Sequence, residues 1–396
     1  MSSLVKNNSE SSEGWKIIPF LKAAIVVSDE GKRVKQRDYL LEGKIPVIDQ
    51  GHDFIGGYID DENMAFKGDL PVIIFGDHTR NIKYVNRRFA VGAEGVKILK
   101  PESCYEPKFF YYMLHSLEIP SRGYSRHFQF LKKFDFPLPH LDQQKLIVSE
   151  IEKQFSRLDE AVATLKRVRA SLKRYKASVL KAAVEGKLAT SEQKKWKATT
   201  VGEVSEIVTK GSSPNWQGFE YSSEGVVFVR SQNVSWGHLN LSEVAHLPLA
   251  FNKKEKKSVL RTGDVLLNIV GASIGRAAVA TKSIEGGNIN QAVAVIRPLR
   301  DRLLPQFLMC YFLSEKVQKL IHAQKVDVAR ANYSLDQIRK MPLHLPPLDD
   351  QHRIVEEIES RLSVAEEIGV TININLKRSE RLRQAILKKA FAGKLI

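Results

Sequence analysis

Adding 207 to each residue number from Leu141 to Leu188 gives Leu348 to Leu395 without a gap, and the two stretches share roughly 18 of about 48 positions. The identities gather at the ends. Leu141-Asp142-Gln143-Gln144 and Ile147-Val148 answer Leu348-Asp349-Asp350-Gln351 and Ile354-Val355. Leu180-Lys181 and Gly186-Lys187-Leu188 answer Leu387-Lys388 and Gly393-Lys394-Leu395. A chain with this repeat builds one plan twice.

The repeated stretch has the marks of a long helix. Each copy opens after prolines (Pro137 and Pro139; Pro346 and Pro347), then runs without proline to a glycine stop, Gly186 or Gly393. Asp142 and Asp349 stand as N-caps or first-turn acids. Ile151, Leu158, Leu165, Leu172 and Val179 recur every seven residues, with Ile147, Phe155, Val162, Val168 and Tyr175 widening the stripe. In the second copy Ile358, Ala365, Ile372 and Ile386 keep the register, Ser379 breaks it, and Ile354, Leu362, Leu376 and Leu382 flank it. A seven-residue apolar row over about five heptads predicts that the two stripes bury each other as a coiled coil. Each helix would run about 60 Å. Two core helices in separate domains are the competing reading, and the heptads leave parallel and antiparallel pairing open.

Ahead of each helix lies a globular segment that begins with a Trp-Lys pair, Trp15-Lys16 or Trp196-Lys197. The runs Pro71-Val72-Ile73-Ile74-Phe75 and Val265-Leu266-Leu267-Asn268-Ile269-Val270 read as strands. Gly211, Gly225, Gly271, Gly275 and Gly286-Gly287 punctuate the second segment. The expected class is α+β, with two mixed α/β domains dominated by a curved antiparallel sheet. The expected division is a disordered leader at 1–13, a first domain at 14–140, a helix at 141–190, a second domain at 191–346 and a helix at 347–396. Residues 191–195 would be a linker. Cys104 and Cys310 have no CxxC spacing and sit in aromatic-rich stretches, so both are expected as buried thiols in a reducing cytoplasm.

Charge narrows the partner. The chain holds 61 Lys and Arg against 45 Asp and Glu, a formal net charge of +16. The repeated helices account for only +5 and +1 of it. The surplus on the globular segments favours a polyanion, above all nucleic acid. No apolar run approaches the roughly 20 residues that span a bilayer. No HExxH, Walker loop, zinc spacing or Asn-Pro-Pro-Tyr adenine-methylation motif is present. Asp77-His78 is expected to be a turn pair rather than a catalytic dyad, so chemistry would have to come from a partner.

Several stretches then resemble one family. Lys67-Gly68-Asp69, Phe75-Gly76-Asp77-His78-Thr79-Arg80 and Phe89-Ala90-Val91-Gly92-Ala93 resemble one version of the target-recognition domain of type I restriction–modification specificity subunits. Thr262-Gly263-Asp264-Val265-Leu266, Gly271-Ala272-Ser273-Ile274-Gly275-Arg276 and Asn290-Gln291 resemble another. Leu345-Pro346-Pro347-Leu348-Asp349-Asp350-Gln351 resembles the opening of that family's helical region, and 137–144 is its twin, with Pro137-Leu138-Pro139-His140-Leu141 a slight departure. The resemblance covers nearly the whole chain after residue 13. It implies antiparallel helices that separate the recognition domains with pseudo-twofold symmetry. It also implies a bipartite double-stranded DNA target, two methyltransferase subunits that carry S-adenosylmethionine, and motor–nuclease subunits that join for restriction. This chain itself would hold no cofactor or metal.

Arg, Lys, Asn, Gln and Ser on turns are the residue types that pair with base edges and phosphates. The candidates are Lys32, Arg33, Arg80, Lys83, Arg122, Ser125 and Arg126 in the first domain. In the second they are Lys210, Ser212, Arg230, Gln232, Asn233, Ser273, Arg276 and Arg330. Tyr124 and Tyr333 stand as packing residues or base contacts. A coiled-coil adaptor whose basic domains bind RNA or protein is the alternative function, and an unrecognised nuclease is a third.

Overall fold

The computed structural model describes residues 14–92, 94–120, 123, 125–189, 196–324 and 332–396. The expected leader and linker lie outside the described residues. The chain divides into two compact units, Met1–Lys166 with Asn373–Ile396, and Arg167–Ile372. The division falls inside both long helices, so each unit is one globular domain with a half of each helix.

In chain order the first unit has β1 (Lys16–Pro19), α1 (Phe20–Ala23), β2 (Ala24–Val27), β3 (Arg33–Val34), β4 (Ile45–Ile48), β5 (Gly57–Ile59), β6 (Val72–Gly76), β7 (Ile82–Val85), β8 (Ala90–Gly92) and β9 (Val96–Pro101). There follow α2 (Pro107–Ser116), α3 (Phe128–Leu131), β10 (Asp135–Leu138) and the start of α4 (Leu141–Val184). Strands β2-β9-β6-β7 form an antiparallel sheet, and β3-β8-β4-β5 form a second sheet. β1 pairs antiparallel with β10, which ties the entry of the domain to the residues that open α4.

β6 explains its own sequence. Successive side chains on a strand point to opposite faces. Ile73 and Phe75 enter a core with Phe109, Phe110 and Phe136, while Val72 and Ile74 enter another with Phe89 and Val91. Both faces are covered, so the run is apolar without alternation.

The second unit takes the rest of α4, then β11 (Lys197–Thr200), β12 (Ser205–Lys210), β13 (Val226–Val229), β14 (Ala245–Leu247), α5 (Ala250–Lys254), β15 (Val265–Asn268), β16 (Ala277–Val279), β17 (Asn288–Ile289) and β18 (Val293–Pro298). It continues with α6 (Pro305–Leu313), α7 (Glu315–Gln324), α8 (Leu335–Arg339), β19 (Pro342–Leu345) and the start of α9 (Leu348–Phe391). The plan repeats. β11 pairs with β19 ahead of α9, β12-β18-β15-β16 is an antiparallel sheet, and β14-β13-β17 is the smaller one. β15 is again buried on both faces, with Leu267 in one core and Leu266 in the other. The smaller sheets depart from a purely antiparallel expectation: β3 and β4 pair parallel to β8, and β13 pairs parallel to β17. These pairings join segments distant in sequence, and local patterning carries no signal for them.

The long helices run antiparallel inside each unit. In the first, Phe155 shares a core with Ile386 and Leu387, Asp159 forms an ion pair with Arg383, and the Arg383 guanidinium lies 4.2 Å from the Phe155 ring centre. In the second, Lys176 pairs with Glu366, and Val179 and Ala183 share a core with Ile354 and Ile358. Gly369 leaves room for Leu172, whose Cδ2 would lie 3.6 Å from an added Cβ. The seven-residue row is the seam: Ile151, Leu158, Val179, Ile358, Ala365, Ile372 and Ile386 are buried. Ser379 donates to the Asn375 carbonyl, so the break in the row leaves its hydroxyl satisfied.

Three flanking residues depart from expectation. Val168, Tyr175 and Leu382 are exposed, whereas Phe155, Val162, Leu362 and Leu376 are wholly or partly buried. The buried flank is the one four residues after the row; the exposed residues stand three after it. A two-helix seam is narrow and covers one flank. Ile147 and Ile354 are buried on the other flank because they pack against their own domains.

The helix ends are duplicated in detail. Asp142 and Asp349 lie in the first turns rather than at N-caps, since the helices begin at Leu141 and Leu348. Gly186 and Gly393 adopt φ of 72° and 68°. Lys187 N donates to the Ala182 carbonyl and Gly186 N to that of Ala183, and Lys394 N donates to the Lys389 carbonyl and Gly393 N to that of Ala390, the paired bonds of a Schellman stop at each end. One turn into each helix a glutamine is buried. Gln144 accepts from Glu106 N (2.8 Å) and donates to the carbonyls of Cys104 and Pro139 (2.9 Å each). Gln351 accepts from Leu304 N (2.8 Å) and donates to those of Arg302 (2.8 Å) and Pro346 (2.9 Å). Cys104 itself is exposed, contrary to expectation, while Cys310 is buried and burial pushes its thiol up to about 12.

Candidate nucleic-acid interface

In the first unit the candidates gather around the turn between β6 and β7. Asp77 N donates to the Gly95 carbonyl (2.6 Å), and His127 N to the Asp77 carbonyl (2.7 Å). The Asp77 carboxylate accepts from Phe128 N (2.7 Å), which fixes the start of α3. Asp77-His78 is therefore a framework turn. Arg33 reaches the Val96 carbonyl (3.2 Å) and pairs with Asp29, and Lys32 pairs with Glu30 at 3.3 Å. Arg80 has φ of 63° and donates to the Ile119 carbonyl (2.9 Å). Arg126 is exposed with no side-chain partner among the described residues, and the Ser125 hydroxyl is buried without one. Arg122 and Tyr124 lie outside the described residues.

Lys83 is a correction. It is 5% exposed, its ammonium lies 3.5 Å from Asp49, and it donates to the Asp53 carbonyl. Burial pushes its pKa down, and Asp49 opposes the shift. An ammonium committed in this way holds the 49–53 loop and has no reach to a phosphate.

In the second unit backbone contacts draw the candidate turns together. A Cβ on Gly211 would fall 1.8 Å from the Ile289 carbonyl oxygen, so only glycine lets the chain leave β12 there. Asn290 N donates to the Val229 carbonyl (3.1 Å), and Asn268 Nδ2 to that of Ser231 (2.8 Å). Asn268 N donates to the Arg276 carbonyl (2.8 Å). Lys210 at the end of β12, and Ser212, Arg230, Gln232, Ser273 and Arg276 on the turns, thus belong to segments that these contacts link. Lys210 and Gln232 are exposed and Arg276 is half-buried, and none has a side-chain partner among the described residues. Arg230 lies 5.7 Å from the Tyr221 ring centre and donates to the Glu243 carbonyl (3.4 Å). Ser212 is half-buried with its hydroxyl unpartnered, and the Ser273 hydroxyl donates to the Val270 carbonyl (3.4 Å).

Asn233 is the second correction. It is 3% exposed, accepts from Arg230 N (2.9 Å) and donates to the Asn240 carbonyl (2.9 Å). Its amide is spent on the turn. Tyr333 is buried and packs in the core, so it is not a base contact. Arg330 lies outside the described residues. The Gly-Asp motif before β15 is likewise framework: Arg297 holds Asp264 through two bonds of 2.7 and 2.8 Å, both residues being buried. That hydrogen bonding raises the Arg297 pKa above its ordinary value.

The sequence reading passed over two features. Lys253, Lys254, Lys256 and Lys257 are all exposed, and Trp216 is 87% exposed. The Lys-Lys-Glu-Lys-Lys spelling was the available signal; the exposure of the indole had none. Among the described residues there is no group of three or more His, Cys, Asp or Glu placed to hold a metal, and no helix long and apolar enough to cross a membrane.

Known proteins share this architecture. Residues 23–174 and 193–378 match the family model described as the type I restriction modification DNA specificity domain. The chain is 26% identical over 368 residues to the type I restriction enzyme EcoBI specificity subunit of Escherichia coli, covering 86% of this chain and 77% of that protein. It is 25% identical to the StySPI specificity subunit of Salmonella potsdam, covering 98% and 91%. A chain solved in work on complex assembly and conformational transition of the type I R-M system superposes with a TM-score of 0.72 at 17% identity, covering 97% and 99%. The HsdS subunit from Thermoanaerobacter tengcongensis gives 0.57 at 18%, covering 97% and 98%. With the family model matched twice, each time across a globular domain and most of the long helix that follows it, the chain belongs to the type I restriction–modification specificity subunits, which recognise the DNA target.

Proposed function

We propose that the chain reads a two-part DNA sequence, one half-site with each unit, and that the long helices set the spacing between the halves. One observation carries this reading. The two units repeat the same frame down to the hydrogen bonds of Gln144 and Gln351, while the exposed polar side chains at their edges differ. A common frame with different readers suits a target of two unlike halves. Arg126 in the first unit and Lys210, Gln232 and Arg276 in the second are the free side chains best suited to base edges or phosphates. The paired cations Lys32, Arg33, Arg80 and Arg230 would order the turns that carry them.

Methylation in this reading belongs to two partner subunits that hold S-adenosylmethionine. An adenine inside a duplex is out of reach of chemistry until it is flipped out, and it would be flipped into the partner's pocket. Val168 and Tyr175, left outside the helix seam, are candidates for contact with such a partner. Motor–nuclease subunits would join the same assembly for restriction.

Genome-wide mapping of methyladenine in cells with and without this chain tests the proposal. The expected result is a split motif that loses methylation when the chain is deleted. Unchanged methylation, or a single uninterrupted motif, would overturn it.

A further inference from the structure

We propose that Trp216 and the lysines Lys253, Lys254, Lys256 and Lys257 form one DNA-contact site of the second unit, in which the lysines meet backbone phosphates and the indole packs on the sugars or groove edges of the same stretch. The inference rests on the reading above and adds a specific site to it.

Trp216 is 87% exposed, yet the turn that carries it is tightly closed. Gln217 N and Phe219 N both donate to the Pro214 carbonyl (2.9 and 3.0 Å), and Gly218 N donates to that of Asn215 (3.1 Å). Pro214 is buried, and Phe219 packs edge-on against buried Phe251 at 5.4 Å. A large aromatic side chain held in water by a fixed turn gains its free energy only when something covers it.

The cover is indicated by charge. Lys254 donates to the Gln217 carbonyl (3.0 Å), which joins the lysine segment to the residue after Trp216. The acid within the run, Glu255, is 7% exposed and lies 3.9 Å from the Lys257 ammonium, and all four lysine side chains are exposed. Asn288 Nδ2 donates to Asn252 Oδ1 (2.9 Å) and to the Glu255 carbonyl (3.1 Å), so the segment is pinned to β17. Glu220 is the exposed acid on the tryptophan turn itself. Four cations on a pinned segment beside a presented indole match a polyanion whose sugars and groove edges offer apolar surface between the phosphates, the combination a DNA duplex provides. Trp236, the other exposed tryptophan, is 54% exposed and sits on a turn whose Gly237 N donates to the Ala277 carbonyl, with no lysine run beside it in sequence. It serves as the control.

The test uses the full chain co-purified with its methyltransferase partner and a labelled duplex carrying the motif defined by methylation mapping. Trp216→Ala should weaken binding about 10- to 100-fold, as expected for uncovering a large apolar side chain, and Trp216→Phe should restore most of it. Changing all four lysines to Gln should lower the slope of log K against log salt by about 3.6. Trp236→Ala should bind as the unsubstituted protein does. A bromouracil-substituted duplex should photo-crosslink to the peptide containing Trp216. Binding within twofold for Trp216→Ala, with an unchanged salt slope for the lysine variant, would overturn the inference and leave the two-part reading standing. So would loss of the methyltransferase from Trp216→Ala, which would mark a protein contact. If the unsubstituted complex shows no preference for the motif, both proposals fall.

Discussion

Gln144 and Gln351, 207 residues apart, hold equivalent positions through equivalent bonds: each accepts from the N–H of the residue just before a proline-led helix and ties two carbonyls to the long helix it sits on. The helices that follow those residues are α2 and α6, with Pro107 and Pro305 at their starts. A side-chain amide supplies one acceptor and two donors, and here all three are used. Replacing Gln144 or Gln351 with Ala would leave a buried N–H and two carbonyls unpaired. The expected cost is about 2–4 kcal/mol in each case, since an unsatisfied buried group costs about 1–3 kcal/mol. Urea unfolding measures the loss. Hydrogen exchange should quicken at the amides of Glu106 in the first variant and Leu304 in the second.

The Asp264–Arg297 pair predicts an asymmetric response. Asp264→Asn leaves a buried guanidinium without its counter-charge and should cost about 3–5 kcal/mol. Replacing both residues with apolar side chains of similar volume should cost much less, because no charge is then stranded. Thermal unfolding of the single and double variants checks this, and equal losses would refute it.

The imidazole of His115 gives a pH dependence. Burial pushes its pKa down to about 4, with the Ile82 backbone opposing the shift. An unfolded histidine titrates near pH 6.5. The unfolded state therefore binds the proton more tightly, and the stabilising effect of neutral His115 is present above about pH 6.5 and lost as pH falls toward about 4. The expected loss is up to about 3 kcal/mol over that window. His115→Phe should flatten the profile there, as measured by urea unfolding at successive pH values.

Lengthening both α4 and α9 by seven residues adds about 10 Å to each helix. The preferred gap between half-sites should grow by about three base pairs, at 3.4 Å per step. Methylation mapping reads the outcome directly, and an unchanged motif would remove the helices from the role of spacer.

Replacing residues 14–140 with the corresponding domain of another specificity subunit should change one half of the methylated motif and leave the other intact. Changes in both halves would mean that the units do not read independently.

The long helices were legible because their determinants are local. A seven-residue row, prolines before and glycine after are written in adjacent residues, and the 207-residue offset displays them twice. The strands β6 and β15 were legible for the same reason. What the tertiary structure alone decided is which side chains remain free. Lys83 and Arg126 are both cations near turns, but Asp49 and the Asp53 carbonyl lie against the first, and the second has no described partner. Asn233 and Gln232 are neighbours in sequence, and only Asn233 folds into its own turn. The parallel pairing of β13 with β17 follows from contacts between distant segments. Burial and partnering are properties of three-dimensional neighbours, so residue type names who can bind DNA and packing decides who is left to do it.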